Sequence, residues 1–211
     1  MIVVENFFDK DTKEKLNYTA EDRFHAILGS WQGRDKKADL TRYKGYFSKF
    51  GNPDCSGKVV LDIGCGPWGG ILPLTEAKRK VGVDPMIGEY IKSNMLSYDG
   101  ECVTSDDAKI DLPDDFADVI FCLNTLDHCF DIESPAKLLK EIHRLLKPEG
   151  LLYIHSHLRK GEQLNLLHFY AIEDKDLNRW MSDFERVHWQ IYEEDSVWDR
   201  PYRTLWGILK K

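Results

Sequence analysis

The chain has 211 residues and a formal net charge of −7, with 29 Lys and Arg against 36 Asp and Glu. Its length is typical of one domain, and its 42% hydrophobic and 31% charged fractions argue against intrinsic disorder. The acidic balance disfavours nucleic acid and anionic membranes as main partners, because both carry negative charge.

The first 57 residues differ from the rest in being polar, aromatic and rich in lysine. Helical patterns occur at residues 21–28 and 38–50, before glycine and proline residues break the chain at 51–57. We therefore divide a single domain into an N-terminal helical segment, residues 1–57, and a core, residues 58–211. No apolar run approaches the ~20 residues of a membrane helix, and no signal peptide is apparent.

Short apolar runs separated by helical patterns predict a doubly wound, mostly parallel α/β sheet. The predicted strands are residues 59–63, 81–83, 102–104, 119–123 and 151–154. The clearest helix is residues 134–147, with Ser134 as its N-cap and Pro135 in its first turn. Two β-rich runs at 184–193 and 202–210 are too close in sequence for a crossover helix, so they predict a terminal antiparallel hairpin.

A glycine-rich turn, predicted to join the first strand to a helix, is the first functional signal. Gly64, Gly66 and Gly69 satisfy the G-x-G-x-x-G pattern of dinucleotide sites. Asp62 precedes them, where a carboxylate would accept hydrogen bonds from a ligand ammonium but repel a pyrophosphate. Asp84 ends the second strand and could hold both hydroxyls of a ribose. A carboxylate in the Asp106–Ala108 segment could meet an adenine amine.

These motifs together resemble class I S-adenosylmethionine-dependent methyltransferases. The resemblance extends over residues 58–157 and is carried by the segments 60–66, 81–85, 107–120, 126–128 and 145–150. It implies a seven-stranded, Rossmann-like sheet, S-adenosylmethionine as cofactor, and residues 1–57 as a lid over the substrate. An alternative for the lid is a helix that packs on the sheet for stability alone. The adenine contact could be Asp106 or Asp107.

The cofactor-binding set implied by the resemblance is Asp62, Gly64, Cys65, Gly66, Pro67, Asp84, Pro85, Asp106, Asp107, Ala108, Asn124 and Thr125. Three histidines are candidate catalytic bases, because histidine titrates near neutral pH: His128, His155 and His168. His155 and His157 point the same way at the end of the fifth strand and would suit a metal. No Asp-Asn pair follows this strand as in metal-dependent relatives, so we expect no metal.

The predicted activity is O- or N-methylation of a small molecule or sugar. Neither nucleic acid nor a membrane is expected as a partner. The alternatives are a nicotinamide-dependent oxidoreductase with the same glycine loop and a methyltransferase-like subunit that binds without catalysing. The five cysteines include no C-x-x-C pair and predict free thiols in a reducing, cytoplasmic location.

Overall fold

The structure is a computed structural model that describes residues 28–106, 108–129, 133–158, 172–194 and 202–211. Most of the predicted helix at 21–28, Asp107 and His168 lie outside these ranges, as does the side chain of Asp106. The five cysteines are free thiols. Among the described helices, none has the length and apolar character needed to cross a membrane.

Seven strands form the main sheet, which confirms the predicted architecture. They are β1 (Val59–Ile63), β2 (Arg79–Val83), β3 (Glu101–Val103), β4 (Ala117–Leu123), β5 (Leu146–Leu158), β6 (Glu185–Glu194) and β7 (Tyr202–Lys210). Their spatial order is β3-β2-β1-β4-β5-β7-β6. The first five strands are parallel, and β7 pairs antiparallel with both β5 and β6. Ser105–Asp106 and Lys109–Ile110 form a separate two-residue ladder.

Helices cover both faces of this sheet. They are α1 (Lys36–Lys49), α2 (Ile87–Lys92), α3 (Ser134–Leu145) and α4 (Asp174–Trp180), with 3-10 turns at Leu72–Leu74 and Leu126–His128. Residues 28–32 are also helical. The apolar stripe of α3 and the buried side of α4 pack on one face of the strands. Tyr43 and Phe50 pack on the opposite face, together with Ile71 and Leu72. The sheet is therefore the middle of three layers.

The predicted helix start and the turn after β1 differ from the structure. Ser134 is the first residue of α3 and Glu133 is its N-cap, so Ser134 is not the cap. The glycine turn leads into the 3-10 turn Leu72–Leu74 and not into an α-helix. Gly69 and Gly70 adopt positive φ angles of 76° and 50°, which an α-helix cannot contain, and Pro73 lacks a backbone donor.

β5 is longer than the apolar run that predicts it. It begins at Leu146, where the predicted helix still continued, and it runs to Leu158. Leu146 pairs with Ala117 of β4, and Leu158 pairs with Arg203 of β7. Pairing on both sides extends the strand beyond its apolar centre, which places His155 and His157 inside the sheet.

Candidate active site

The loop after β1 has a backbone shape that requires glycine. Gly64 and Gly66 adopt φ angles of 77° and 62°, a region that other residues rarely occupy. The Gly64 N–H donates to the Val83 carbonyl over 2.7 Å, which ties the loop to the end of β2. A Cβ at Gly64 would collide with the hydroxyl of Thr125. The loop therefore lies directly against the carboxyl ends of its neighbouring strands, where open α/β sheets bind ligands.

Asp84 joins this loop to β2. Its Oδ2 accepts a hydrogen bond from Gly66 N over 3.0 Å, and its Oδ1 accepts one from Met86 N over 2.9 Å. Burial raises the pKa of this carboxyl to about 6, although both backbone donors oppose the rise. Asp84 is nevertheless part of a cavity wall. Each oxygen retains capacity for a further bond, so the carboxylate can receive hydroxyl donors from a ligand.

Asp62 lies beneath the same loop. Its Oδ2 accepts a hydrogen bond from Ile71 N over 2.9 Å, and a Cβ at Gly70 would collide with that oxygen. Burial is the main reason why its pKa is raised to about 8; the Ile71 bond opposes this rise and the nearby Asp84 adds to it. Asp62 holds the turn that follows the loop and is absent from the lining of the cavity.

A cavity of about 290 Å³ brings together about half of the predicted site residues. It is lined by Gly64, Asp84, Pro85, Ala108, Asn124, Thr125 and His128. Of the other predicted residues whose side chains the structure describes, Cys65, Gly66 and Pro67 lie in the loop behind this wall, and His155 is buried in the sheet. The cavity thus lies at the carboxyl ends of β1, β2 and β4.

Five residues between positions 30 and 43 line one side of the cavity. The sequence motifs did not identify most of them. Ser30, Trp31, Arg34, Arg42 and Tyr43 line the cavity. Trp31 packs on the glycine loop so closely that a Cβ at Gly66 would lie 2.6 Å from its ring. The aromatic side chain of Trp31 was the sequence feature that could have indicated this contact. The two arginines carried no such signal, because nothing in their spacing separates them from surface arginines.

The Trp31 ring is itself held on two sides. It meets Trp68 of the loop edge-on, with ring centroids 5.3 Å apart. The guanidinium of Arg34 lies over its face, 4.5 Å from the centroid. Lys36 also donates to the Ser97 carbonyl and hydroxyl. These contacts fasten the segment that precedes α1 over the loop.

The candidate bases occupy different environments. His128 lines the cavity. His155 is 2% exposed and stacks on the ring of Tyr46, with centroids 4.7 Å apart. Burial lowers the pKa of His155 to about 3, so this imidazole stays neutral at physiological pH. Within the described ranges, no group of three His, Cys, Asp or Glu side chains is arranged to hold a metal ion.

Comparison with known proteins finds a family model that is similar to the central part of the chain. Residues 61–154 match the family model described as a methyltransferase domain. Over these residues the chain is similar to a methyltransferase domain, in agreement with its resemblance to class I S-adenosylmethionine-dependent methyltransferases. The family match begins inside β1, continues through the glycine loop and Asp84, and ends in β5. It therefore includes the predicted cofactor residues.

The most similar curated relatives include a ubiquinone biosynthesis O-methyltransferase of Pseudomonas paraeruginosa. This protein is 32% identical over 108 residues, which is 47% of this chain and 44% of the relative. This chain thus spans less than half the length of that relative.

Solved methyltransferases share the fold over nearly the whole chain. A phosphoethanolamine N-methyltransferase of Haemonchus contortus, solved with phosphomonomethylethanolamine and S-adenosylhomocysteine, has a TM-score of 0.65 and 15% identity. The match covers 96% of this chain and 60% of that one. An S-adenosylmethionine-dependent methyltransferase of Archaeoglobus fulgidus has a TM-score of 0.63 and 17% identity, covering 89% and 99%. At these identities the likeness shows the fold alone.

Proposed function

We propose that the protein is an enzyme that transfers a methyl group from S-adenosylmethionine to a small-molecule acceptor. One observation carries this proposal. A single cavity joins the Asp84 carboxylate, the backbone at Gly64, and Asn124 and Thr125 at the end of β4. The cavity therefore connects a site for ribose with a site for the amino-acid part of the cofactor. It also has an edge that is open to an acceptor.

The residues present fit the cofactor. Asp84 would hold the ribose hydroxyls, and Ala108, which follows the candidate adenine contacts Asp106 and Asp107 in sequence, lines the cavity. The positive φ angles at Gly64 and Gly66 leave the space that side chains would fill. Asp62, which lies beneath the loop, would attract the ammonium group through its charge or through a water molecule.

The cofactor carboxylate needs a cationic partner, and the cavity wall supplies two. Arg34 and Arg42 both line it on the side of the N-terminal segment. Arg42 already pairs with Asp39 over 2.6 Å, while its Nε is buried without a hydrogen-bond partner. An incoming carboxylate would satisfy that donor, which favours Arg42 for this role.

The cofactor supplies an electrophilic methyl group on a positively charged sulfur. The protein then has three tasks: to hold the reacting atoms about 3–3.5 Å apart, to exclude water and to accept a proton where the acceptor loses one. Trp31 and Tyr43 cover the cavity and exclude water. His128 lines it and is the candidate base for a hydroxyl acceptor.

A small acceptor fits a cavity of about 290 Å³ and the acidic net charge of the chain better than nucleic acid does. The curated relatives favour oxygen as the acceptor atom, because the Pseudomonas protein is named as an O-methyltransferase.

Cofactor choice is tested by thermal unfolding with S-adenosylhomocysteine or NAD. At a hundredfold excess over Kd, the true ligand stabilises the fold by about 2.7 kcal/mol, and we expect this shift with S-adenosylhomocysteine. A shift with NAD alone would support the oxidoreductase alternative. Methyl transfer from labelled cofactor into a metabolite extract then tests catalysis. Cofactor binding without transfer into any fraction would favour a non-catalytic subunit.

A further inference from the structure

Four polar side chains meet at the carboxyl ends of β4 and β5, beside the cavity. We call Asn124, His155, Thr204 and Trp206 the neutral polar cluster. His155 of β5 is directly opposite Trp206 of β7, with ring centroids 4.3 Å apart. Thr204 lies two residues before Trp206 and so shares its face of the sheet. Asn124 follows β4, and its N–H donates to the His155 carbonyl over 2.9 Å.

Each member of the neutral polar cluster has a buried polar atom without a hydrogen-bond partner. These atoms are Asn124 Oδ1, His155 Nδ1, Thr204 Oγ1 and Trp206 Nε1. Buried polar atoms are nearly always paired, because an unpaired one loses its bonds to water and gains nothing in return. Four of them at one place would weaken a purely structural core, where apolar side chains of the same shape would be more stable. Their presence points to a polar ligand.

Tyr46 of α1 packs on three members of the neutral polar cluster, Asn124, His155 and Trp206. Its hydroxyl accepts a hydrogen bond from Asn124 Nδ2 over 3.2 Å, and its ring stacks on His155. Tyr46 is partly exposed, whereas His155 and Trp206 are 2% and 4% exposed. Asn124 itself lines the cavity. Rotation of the Tyr46 side chain would therefore open the cluster to the space beside the cofactor.

The charges around the cluster select the kind of group that it can bind. Burial lowers the pKa of His155 to about 3, and His157, Lys49 and Arg42 act in the same direction, while Asp127 opposes them. The Lys49 ammonium also lies 4.5 Å from the centroid of the Trp206 ring. The cations Lys49 and Arg42 repel a protonated amine and stabilise the negative charge that a hydroxyl oxygen gains as its proton leaves.

We infer that the neutral polar cluster binds the methyl acceptor, and that this acceptor presents an uncharged hydroxyl group, with Tyr46 as the side chain that admits it. This inference rests on the proposed function. In the reaction, a lone pair of the hydroxyl oxygen forms the new C–O bond, and the C–S bond breaks with its electron pair remaining on sulfur. The hydroxyl proton leaves to His128 or to water in the cavity.

The test uses the protein saturated with S-adenosylhomocysteine and two probes, phenol and benzylammonium chloride. Saturation is verified first by thermal shift, so failure of the proposed function is seen before either probe is added. The readout is the NMR signal of the Trp206 indole N–H, assigned from its loss in Trp206→Phe. Phenol should shift this signal saturably, and benzylammonium should leave it unchanged at equal concentration.

Thr204→Val separates a ligand site from a core defect. It preserves volume and removes one unpaired oxygen, so it should raise Tm by about 2–4 °C and weaken phenol binding about fivefold. Its affinity for S-adenosylhomocysteine should stay unchanged. Thr75→Val is the matched control, because the buried Thr75 hydroxyl is already bonded to the Leu72 carbonyl over 2.9 Å. This control should lower Tm and leave phenol binding as it was.

Three results would overturn the inference. They are a Trp206 signal that phenol does not move, benzylammonium binding as tight as that of phenol, and an unchanged phenol affinity in Thr204→Val. Absence of cofactor binding would instead refute the proposed function. The acceptor assignment would then be refuted as well, because it rests on that function.

Discussion

Replacement of Asp84 should separate the folding of the glycine loop from its ability to bind the cofactor. The carboxylate accepts backbone hydrogen bonds from Gly66 and Met86 and also faces the cavity. Asp84→Ala removes every acceptor. Asp84→Asn keeps one oxygen, so it can hold one of the two backbone donors or one ligand hydroxyl, but it carries no charge.

The expected loss follows from the number of bonds. A hydrogen bond to a charged group contributes about 1.5–3 kcal/mol, so two ribose hydroxyls account for about 3–6 kcal/mol. Since 1.4 kcal/mol is a factor of ten, Asp84→Ala should raise the Kd of S-adenosylhomocysteine about 10²- to 10⁴-fold. Asp84→Asn should raise it about 10- to 100-fold. Asp84→Ala would also leave two backbone donors unpaired, which lowers the stability of the fold. Removal of the buried carboxylate offsets part of this loss.

Isothermal titration calorimetry measures these affinities, with circular dichroism verifying that each variant is folded. Asp114→Asn is the matched control, because its side chain is 75% exposed, pairs with Arg144 and lies outside the cavity lining. Its affinity should equal that of the wild type. A folded Asp84→Ala protein that binds within about threefold of the wild type would refute the assignment of this carboxylate to the ribose.

Five further predictions concern protons, metals, the lid and packing. Cofactor binding at pH 7 should release protons, because the ligand favours the charged forms of Asp62 and Asp84, whose pKa values in the free protein are about 8 and about 6. The same raised values mean that the folded state holds more protons than the unfolded state, so the free energy of unfolding should fall as pH rises from about 4 to about 8. A chelator should leave methyl transfer unchanged. Deletion of residues 1–35 should abolish methyl transfer while much of the cofactor binding remains. Gly82→Ala should cost about 1–3 kcal/mol of stability, because its Cβ would overlap the Tyr98 hydroxyl.

Each of these has a contrary outcome. Proton release is measured as the dependence of the calorimetric enthalpy on buffer ionisation, and proton uptake would contradict it. Activity lost in chelator and restored by magnesium would show metal ligation. A truncated chain that turns over its acceptor at the normal rate would contradict the lid, whereas a truncated chain that fails to fold would show that the segment serves stability. Gly45→Ala has open space around its Cβ and is the control for Gly82→Ala.

The order of the elements could be predicted because it depends on local patterns. Consecutive apolar residues such as Val59–Ile63 can be buried on both sides only in a covered parallel strand. The link before Tyr202 is too short for a crossover helix, which predicts antiparallel pairing. β6 and β7 do pair antiparallel. Asp84 could be placed at the end of β2 for the same reason, since the end of a strand can be predicted from the residues that form it.

The remaining features depend on contacts between distant segments. The length of β5 comes from pairing with both neighbours, and this buries His155 within the sheet while His128 reaches the cavity. Arg34 and Arg42 look like surface arginines until the N-terminal segment packs on the glycine loop.

The sequence by itself determined the strand order along the chain, the glycine loop and the carboxylates beside it, because spacing and residue type decide these locally. Only the tertiary structure decided that Asp62 turns beneath the loop toward Ile71 and that Asn124, His155 and Trp206 meet under Tyr46. Side-chain direction, burial and charge state depend on the neighbours that folding brings together, and these neighbours come from segments far apart in the chain.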